Sequence, residues 1–433
     1  MSDFTIGSLP GTRDLLPEDT ALWQFIEAGS RDVFERYGFS EIRTPVIEPT
    51  ELFARGIGGD TDIVGKEMYT FRDQSDRSVT LRPEATASVV RAYIQNAMHK
   101  EGGLRKLYYL GPMFRHERKQ KGRWRQFFQA GAEAIGSDHP AVDAEIIEMA
   151  ISLLETLGVK SRLLVNSVGC RACRPKYVEL LRNELKKNTG DFCEDCRRRA
   201  VSNSLRVLDC KIESCQPLIG GLPLMTEHLC EGCAKHFADL RGYLDTAGIA
   251  YETAPRLVRG LDYYTRTAFE IVSGELGAQN ALAGGGRYDG LSEILGGPAA
   301  PAIGFAVGLD RLAMILSETR GQADRRTPEL FLAWMGEAAF HKSLEIARRL
   351  RRAGHYCHID FSEGSLKSRM RLANKLGARH VLIIGDNELV RERYAVKRLA
   401  DSEQWEASLE EIENYLGKIH DEQDPGSSGN SGE

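Results

Sequence analysis

A strongly basic segment, RHERKQKGRWR at residues 115–125, contains the side chains best suited to binding an anion. It has six arginines and lysines against the single carboxylate of Glu117. These basic residues are Arg115, Arg118, Lys119, Lys121, Arg123 and Arg125. Arginine guanidinium groups match phosphate oxygens in geometry and bind them through paired hydrogen bonds. Taken alone, the segment is either a solvated hairpin tip or a phosphate-binding loop.

The predicted strand after this segment favours the binding interpretation. In WRQFFQAGAEAIG, residues 124–136, the positions Gln129, Gly131 and Glu133 are each two apart. Successive side chains of a strand point to opposite faces, so these three share one face. A glutamine and a glutamate beside an arginine-rich loop suit a zwitterionic substrate. The glutamate can meet an ammonium or imidazole group, and the arginines can meet an oxyanion.

Three further segments are weaker candidates. TLRPEATA, residues 80–87, contains Glu84 and Thr86, again two apart. RGLDYYTRTAFE, residues 259–270, contains Arg259 and two adjacent tyrosines, which taken alone favour simple packing. The glycines at 284–286 predict a loop whose backbone approaches a ligand closely. The sequence has no correctly spaced P-loop, no Rossmann GxGxxG, no GxSxG and no HExxH, so any nucleotide is bound in another way.

Eight of the nine cysteines lie within residues 170–233 and form pairs at metal-ligand spacing. Three pairs are CxxC and the fourth is CxxxxC. The pairs are Cys170/Cys173, Cys193/Cys196, Cys230/Cys233 and Cys210/Cys215. Eight thiolates would complete two tetrahedral Zn²⁺ sites, and reduced structural thiols are the alternative interpretation. Cys357 stands alone and is predicted to pack in a core.

The composition is that of a soluble globular protein. The chain has 433 residues, 42% of them hydrophobic and 27% charged, which predicts two or three domains. The net charge of −5 means that a nucleic-acid partner must be held by local basic patches. We find no signal peptide and no apolar stretch of about 18 residues, so the prediction is a cytoplasmic protein without a membrane span.

The segments above belong to a predicted α+β unit, and a smaller α/β unit follows a charged linker at 318–327. In the first unit we predict a helix at 20–37, an extended segment with Pro45 at 41–47 and a long antiparallel hairpin of 104–115 with 124–135. Further strands are predicted at 257–272, and a strand that runs into a helix at 304–316. The second unit is predicted as βαβαββα with a mixed sheet. Its basic part, 328–400, has 14 Lys/Arg against 8 Asp/Glu and is the predicted RNA-binding face.

Taken together, these segments resemble the histidyl-tRNA synthetase family of class II aminoacyl-tRNA synthetases, over residues 11 to about 416. YGFSEIRTPVIEP resembles motif 1, LGPMFRHERKQKGRWRQFFQAGAE motif 2 and AIGFAVGLDRLAMIL motif 3. RGLDYYTRTAFE and ALAGGGRYDGL resemble the two segments specific to the histidine enzyme. The resemblance implies a class II catalytic core on a mainly antiparallel sheet (1–169 and 239–320), a cysteine-rich insertion (170–238), an anticodon-binding domain (328–420) and a disordered tail (421–433).

The resemblance also implies roles for individual residues. Those expected to bind histidine are Glu84, Ala85, Thr86, Gln129, Glu133, Arg259, Tyr263 and Tyr264, with Ala85 at a position where the family commonly has glycine. Arg115 and Arg311 are expected to bind the ATP phosphates, and Arg259 and Arg115 are the expected catalytic residues. Arg118, Gln120 and Arg125 are expected to meet the acceptor end of the tRNA.

The implied reaction is activation of L-histidine by ATP with Mg²⁺, followed by transfer to tRNA(His). A homodimer is implied through motif 1. Two alternatives are a silent regulatory paralogue, which assists ATP phosphoribosyltransferase, and an RNA-binding module without catalysis. The C-terminal domain and Arg259 argue against the first alternative, and the arginine set Arg115, Arg259 and Arg311 argues against the second.

Overall fold

The computed structural model describes residues 6–58, 61, 63–117, 122–187, 189–274, 281–320 and 327–423. The chain divides into two compact units, Met1–Ala323 and Asp324–Glu433. No helix within the described ranges combines the length and the apolar character that crossing a membrane requires.

The first unit contains ten α-helices and eleven strands among its described residues. The helices are α1 (Pro17–Arg36), α2 (Thr50–Ile57), α3 (Thr86–Gln95), α4 (Pro140–Thr156), α5 (Arg174–Lys187), α6 (Glu194–Ser202), α7 (Gln216–Gly220), α8 (Glu231–Thr246), α9 (Leu291–Ile294) and α10 (Leu309–Arg320). The strands are β1 (Ser40–Glu41), β2 (Ile47–Pro49), β3 (Tyr69–Arg72), β4 (Ser78–Leu81), β5 (Arg105–Phe114), β6 (Gln126–Ile135), β7 (Arg162–Ser167), β8 (Tyr251–Thr253), β9 (Thr265–Val272), β10 (Ala281–Arg287) and β11 (Ala302–Gly308).

Eight of these strands form one large sheet in the order β1-β5-β6-β11-β10-β9-β7-β8. All neighbours from β5 to β7 are antiparallel, while β1 and β8 at the edges run parallel to β5 and β7. The hairpin predicted around the basic loop is β5 and β6. A separate three-stranded sheet has the order β2-β4-β3.

The two faces of the large sheet have different packing partners. On one face, α1, α4, α8 and α10 bury the main hydrophobic core together with Tyr108 and Ala132 of the central hairpin. On the other face, α3 packs near Tyr109 and Tyr263. Because side chains alternate along a strand, Gln129 and Glu133 point to this second face, where the candidate site lies.

Helix α1 shows why the apolar spacing predicts structure here. Proline is tolerated in the first helical turn, and Pro17 occupies it. Ile26, Val33 and Phe34 recur at helical spacing and are fully buried. After the helix ends, Gly38 adopts a φ of 77°, a conformation that favours glycine.

Two predicted elements of the first unit are wrong. Residues 257–264 precede β9 as irregular chain, and only Thr265–Val272 forms a strand. Glycines 284–286 do not form a loop, because they lie inside β10 at the centre of the sheet. Their small size allows other side chains to lie close to the strand, as described below.

The second unit is a five-stranded mixed sheet covered by helices. Its strands are β12 (Leu330–Trp334), β13 (Cys357–Ile359), β14 (His380–Ile384), β15 (Tyr394–Arg398) and β16 (Gln404–Ala407), and its helices are α11 (Glu337–Arg352), α12 (Leu366–Lys375), α13 (Asp386–Arg391) and α14 (Leu409–Gln423). The sheet order is β13-β12-β14-β15-β16, with β12 parallel to β13 and β14 and the other pairs antiparallel. The mixed sheet is as predicted, but the prediction missed α13 and β16. Residues 424–433 of the predicted tail lie outside the described residues.

Candidate active site

Two adjoining cavities lie on the second face of the large sheet. The inner one has a volume of about 170 Å³ and the outer one about 200 Å³. Five residues line both cavities and therefore mark the boundary between them. These shared residues are Arg115, Gln129, Arg259, Gly284 and Ala306.

Glu84 holds the start of α3 at the rim of the inner cavity. Its carboxylate oxygens accept hydrogen bonds from the backbone N–H groups of Thr86 (2.8 Å) and Ala87 (2.9 Å). Burial raises the pKa of Glu84, although these hydrogen bonds oppose the effect. Ala85 has an ordinary φ of −107°, so the backbone at this position does not require glycine.

Glu133 is fully buried directly beneath the inner cavity. Its carboxylate accepts hydrogen bonds from the Thr86 hydroxyl at 2.7 Å and the Tyr288 hydroxyl at 2.5 Å. Burial raises the pKa of Glu133 to about 8, against the opposing effect of these two bonds. Gly304 leaves the space this carboxylate occupies, since a Cβ there would lie 1.7 Å from Oε2 of Glu133. Thr86 and Tyr288 line the cavity, and they connect Glu133 to it.

Four tyrosines complete the wall of the inner cavity: Tyr109, Tyr263, Tyr264 and Tyr288. The ring centroids of Tyr263 and Tyr264 are 4.8 Å apart, and those of Tyr263 and Tyr288 are 5.7 Å apart. Burial raises the pKa of each phenol, so all four are neutral and can donate hydrogen bonds near pH 7. Buried carboxyls and phenols together suit a ring that carries both a hydrogen-bond donor and an acceptor.

Sequence reasoning did not assign Tyr109 or Tyr288 to the site. Tyr109 fills the gap left by Gly131, because a Cβ on that glycine would lie 2.4 Å from the Tyr109 hydroxyl. The signal was present in the sequence, since a glycine between Gln129 and Glu133 implies that another group occupies the space. Tyr288 directly follows β10, and it was placed in a predicted loop that is in fact a strand.

Arg259 spans both cavities. Its Nη1 forms an ion pair of 2.5 Å with Oε2 of Glu270 on β9. The guanidinium lies against Gly284 of β10, where a Cβ would be 2.1 Å from Nη2. Burial disfavours the charge, but Tyr264 and Glu270 outweigh it and raise the pKa of Arg259. Its buried Nε and Oε1 of Gln129 have no hydrogen-bond partner in the described part of the chain, so a bound ligand can supply one.

The outer cavity is lined by a second set of cationic groups. Arg115 donates a hydrogen bond of 2.8 Å from Nε to the carbonyl of Pro83, and its Nη1 lies 3.9 Å from Oε1 of Glu117. Arg311, at the start of α10, hydrogen-bonds the carbonyl of Ala281. Arg123 pairs with Glu117 at 2.6 Å. The structure thus brings the predicted phosphate-binding arginines Arg115 and Arg311 to one cavity.

The residues predicted to meet the tRNA acceptor end are only partly described. Arg118 and Gln120 lie outside the described residues. The Arg125 side chain packs over Gly11, and its backbone N–H donates to the Gly11 carbonyl at 2.7 Å.

The eight paired cysteines form two clusters of four free thiols. Cluster I is Cys170, Cys173, Cys230 and Cys233, and cluster II is Cys193, Cys196, Cys210 and Cys215. Within each cluster all sulfur atoms lie within 4.8 Å of one another. Sulfur–sulfur distances are 3.8 Å for Cys170–Cys173 and Cys170–Cys230, and 3.9 Å for Cys193–Cys210. Each cluster could hold a metal ion.

The family comparisons agree with this arrangement. A family model described as Histidyl-tRNA synthetase matches residues 11–171 and 224–312, and one described as Anticodon binding domain matches residues 329–419. The chain belongs to the histidyl-tRNA synthetase family. The predicted family is therefore confirmed, and so is the class II fold with its C-terminal anticodon-binding domain.

Individual relatives cover almost the whole chain. It is 54% identical over 409 residues to the histidine--tRNA ligase of Solibacter usitatus, covering 94% of this chain and 98% of the relative. It is 50% identical over 407 residues to that of Trichlorobacter lovleyi, covering 94% and 96%. The apo S. aureus histidyl-tRNA synthetase structure is similar with a TM-score of 0.81 at 38% identity, covering 95% of this chain and 100% of that one.

Proposed function

We propose that the inner cavity binds L-histidine and the outer cavity binds ATP in a histidine–tRNA ligase. The activity itself, which the motifs predict, is confirmed by family membership and by the ligase relatives. The silent paralogue and the RNA-binding module are not supported. The observation that carries the proposal is that Arg115, Gln129 and Arg259 line both cavities. The reacting carboxylate and α-phosphate would therefore meet beside two guanidinium groups.

The proposed roles in histidine binding follow from the chemistry of the wall. Glu84, Thr86 and Gln129 would hold the α-ammonium group, since they line the inner cavity and carry carboxylate, hydroxyl and amide oxygens. Tyr264 and Glu133 would recognise the imidazole, with Glu133 acting from beneath together with Thr86 and Tyr288. A pocket that hydrogen-bonds the imidazole discriminates strongly against analogues that lack those groups.

The first step would be a direct displacement. An oxygen of the histidine carboxylate attacks the α-phosphorus, the bond to the β-phosphate oxygen breaks, and pyrophosphate leaves. No protein base is needed, because the nucleophile is already an anion. Arg115 and Arg259 would stabilise the charge that builds on the α-phosphate, and Arg311 would hold the distal phosphates. Mg²⁺ would accompany the ATP and neutralise phosphate charge.

In the second step a terminal ribose hydroxyl of tRNA(His) would attack the carbonyl carbon of the adenylate and release AMP. We propose that Arg118, Gln120 and Arg125 contact the acceptor end and that the second unit binds the anticodon.

We also propose that the chain works as a homodimer through motif 1 and in the cytoplasm. The large apolar side chain of Ile47 on β2 is 50% exposed. An exposed apolar group at this place supports an interface there.

The central test is ATP–pyrophosphate exchange measured with each of the twenty amino acids. We expect exchange with histidine alone, before any tRNA is added, because the adenylate forms without tRNA. Exchange with several amino acids would contradict the proposed imidazole pocket. Absence of exchange in folded protein would contradict the placement of the two substrates.

We further propose that each cysteine cluster binds one Zn²⁺ ion. A tetrahedral Zn²⁺ site with metal–sulfur bonds of about 2.3 Å has sulfur–sulfur edges of about 3.8 Å, close to the distances of 3.8 Å for Cys170–Cys173 and Cys170–Cys230 and 3.9 Å for Cys193–Cys210. A disulfide would require about 2.05 Å instead.

The assignment of one Zn²⁺ ion to each cluster predicts the metal content of cysteine variants. Wild-type protein should carry two zinc ions per chain, measured by mass spectrometry of metals. Cys173→Ser in cluster I and Cys196→Ser in cluster II should each lose one ion. The matched control Cys357→Ala, which alters the one cysteine outside both clusters, should keep two. Protein that is purified without chelator, carries no metal and takes up none from added Zn²⁺ would contradict the proposal.

A further inference from the structure

We propose that Arg174 is a positioning residue that holds the main chain at Tyr264 and so ties the histidine cavity to cysteine cluster I. This inference rests on the proposed binding of histidine in the inner cavity. Arg174 is the first residue of α5 and directly follows Cys173 of the cluster.

The guanidinium of Arg174 joins two chain segments through backbone carbonyls. Nε donates to the carbonyl of Val168 at 2.9 Å, and Nη2 donates to that of Gly169 at 3.0 Å. Nη2 also donates to the carbonyl of Tyr264. A single planar group with several N–H donors can make all these bonds at once, which a lysine cannot do in the same geometry.

The segment that Arg174 holds is irregular chain that leads into β9. Arg266, two residues after Tyr264, has a φ of 51°, a rare conformation for a residue with a side chain. Its backbone N–H donates to Gly169 at 2.8 Å, and its carbonyl accepts from Val168 at 2.7 Å. The Arg174 bonds add to these and fix where the chain enters β9.

The other end of Arg174 is fixed by cluster I. Its backbone N–H donates to the carbonyl of Cys170 at 2.9 Å, and its guanidinium interacts electrostatically with Cys173, Cys170 and Cys233. With the proposed Zn²⁺ bound, four thiolates would leave the cluster with a net charge of about −2, so a cation beside it is favoured.

The position of Tyr264 matters because its side chain is a wall of the inner cavity. The phenol also interacts with Arg259, the residue that spans both cavities. A shift of the Tyr264 backbone would move this ring against Tyr263, whose centroid is 4.8 Å away. Histidine binding should therefore depend on Arg174, although this residue does not line either cavity.

The test is steady-state pyrophosphate exchange by Arg174→Ala and Arg174→Lys in the full chain. We expect Arg174→Ala to raise the KM for histidine about tenfold, with the KM for ATP changed by less than about twofold. Arg174→Lys should raise the KM for histidine less than Arg174→Ala does, because a lysine can make one of the bonds to the backbone carbonyls but not all of them. The control Arg182→Ala removes another arginine of α5, whose Nε donates to Ser204 at 3.1 Å, and should match wild type.

Two results would overturn the inference. One is an unchanged KM for histidine in both Arg174 variants. The other is an equal rise in both KM values together with loss of metal, which would indicate a merely structural role.

Tyr264→Phe separates the inference from the proposed function. If this variant leaves the KM for histidine unchanged, the proposed role of Tyr264 fails. If it raises that KM and the Arg174 variants do not, only the inference fails.

Discussion

Replacing Arg259 by alanine is expected to lower histidine-dependent pyrophosphate exchange by about a hundredfold or more, or about 2.7 kcal/mol of transition-state stabilisation. Arg259 lines both cavities and is held there by its ion pair with Glu270. Its guanidinium would meet the negative charge that develops as the carboxylate attacks the α-phosphate. The loss should appear mainly in kcat, since that charge is greatest in the transition state.

Arg256→Ala is the matched control for this variant. Arg256 lies three residues earlier, and its guanidinium also binds carbonyls, those of Gly220 and Leu222, but it does not line either cavity. Its exchange rate should stay close to that of wild type. Exchange by Arg259→Ala within a few-fold of wild type, in correctly folded protein, would exclude the proposed catalytic role.

The second large effect is expected from Gly284→Ala. An alanine Cβ at this position would lie 2.1 Å from Nη2 and 2.3 Å from Cζ of Arg259, so the guanidinium must move away from the boundary of the two cavities. The backbone of Gly284 does not have a positive φ, and alanine can adopt it without strain. We therefore expect exchange to fall by about tenfold to a hundredfold while the melting temperature changes little.

A double-mutant cycle tests whether this effect acts through Arg259. The Gly284→Ala/Arg259→Ala protein should be no slower than Arg259→Ala alone, because the displaced group is already absent. Gly242→Ala on α8 is a control, since a Cβ there meets no atom within 4 Å. Additive losses of exchange in the double mutant would show that Gly284→Ala does not act through Arg259.

Much of the fold follows from local patterns in the sequence. Apolar spacing predicted α1, and alternation predicted the β5–β6 hairpin with Gln129 and Glu133 on one face. These predictions succeed because helical and strand periodicities are short-range properties of the chain. The motifs likewise identified the family, since the residues of each motif are close together in sequence.

The wrong or missing predictions have a common cause, because each depends on residues that are distant in sequence. The run of glycines at 284–286 favours a loop by composition, but the neighbouring strands β9 and β11 complete its hydrogen bonds and make it a central strand. Tyr109 and Tyr288 join the site because Gly131 leaves space for one phenol and Glu133 binds the other. The glycine at 131 indicates that some group fills the space beside it, but no local spacing says which residue does so.

By itself, then, the sequence determined the family, the order of most elements and the residue types proposed to bind a phosphate and a zwitterion. Only the tertiary structure decided which cysteine pairs combine, because Cys170 and Cys230 are 60 positions apart and eight thiols allow many groupings. It also decided that Arg259 lies over Gly284 and that Arg174 contacts Tyr264, 90 positions away. Contacts of this kind depend on how the sheet and the insertion fold together in space, which no pattern along the chain specifies.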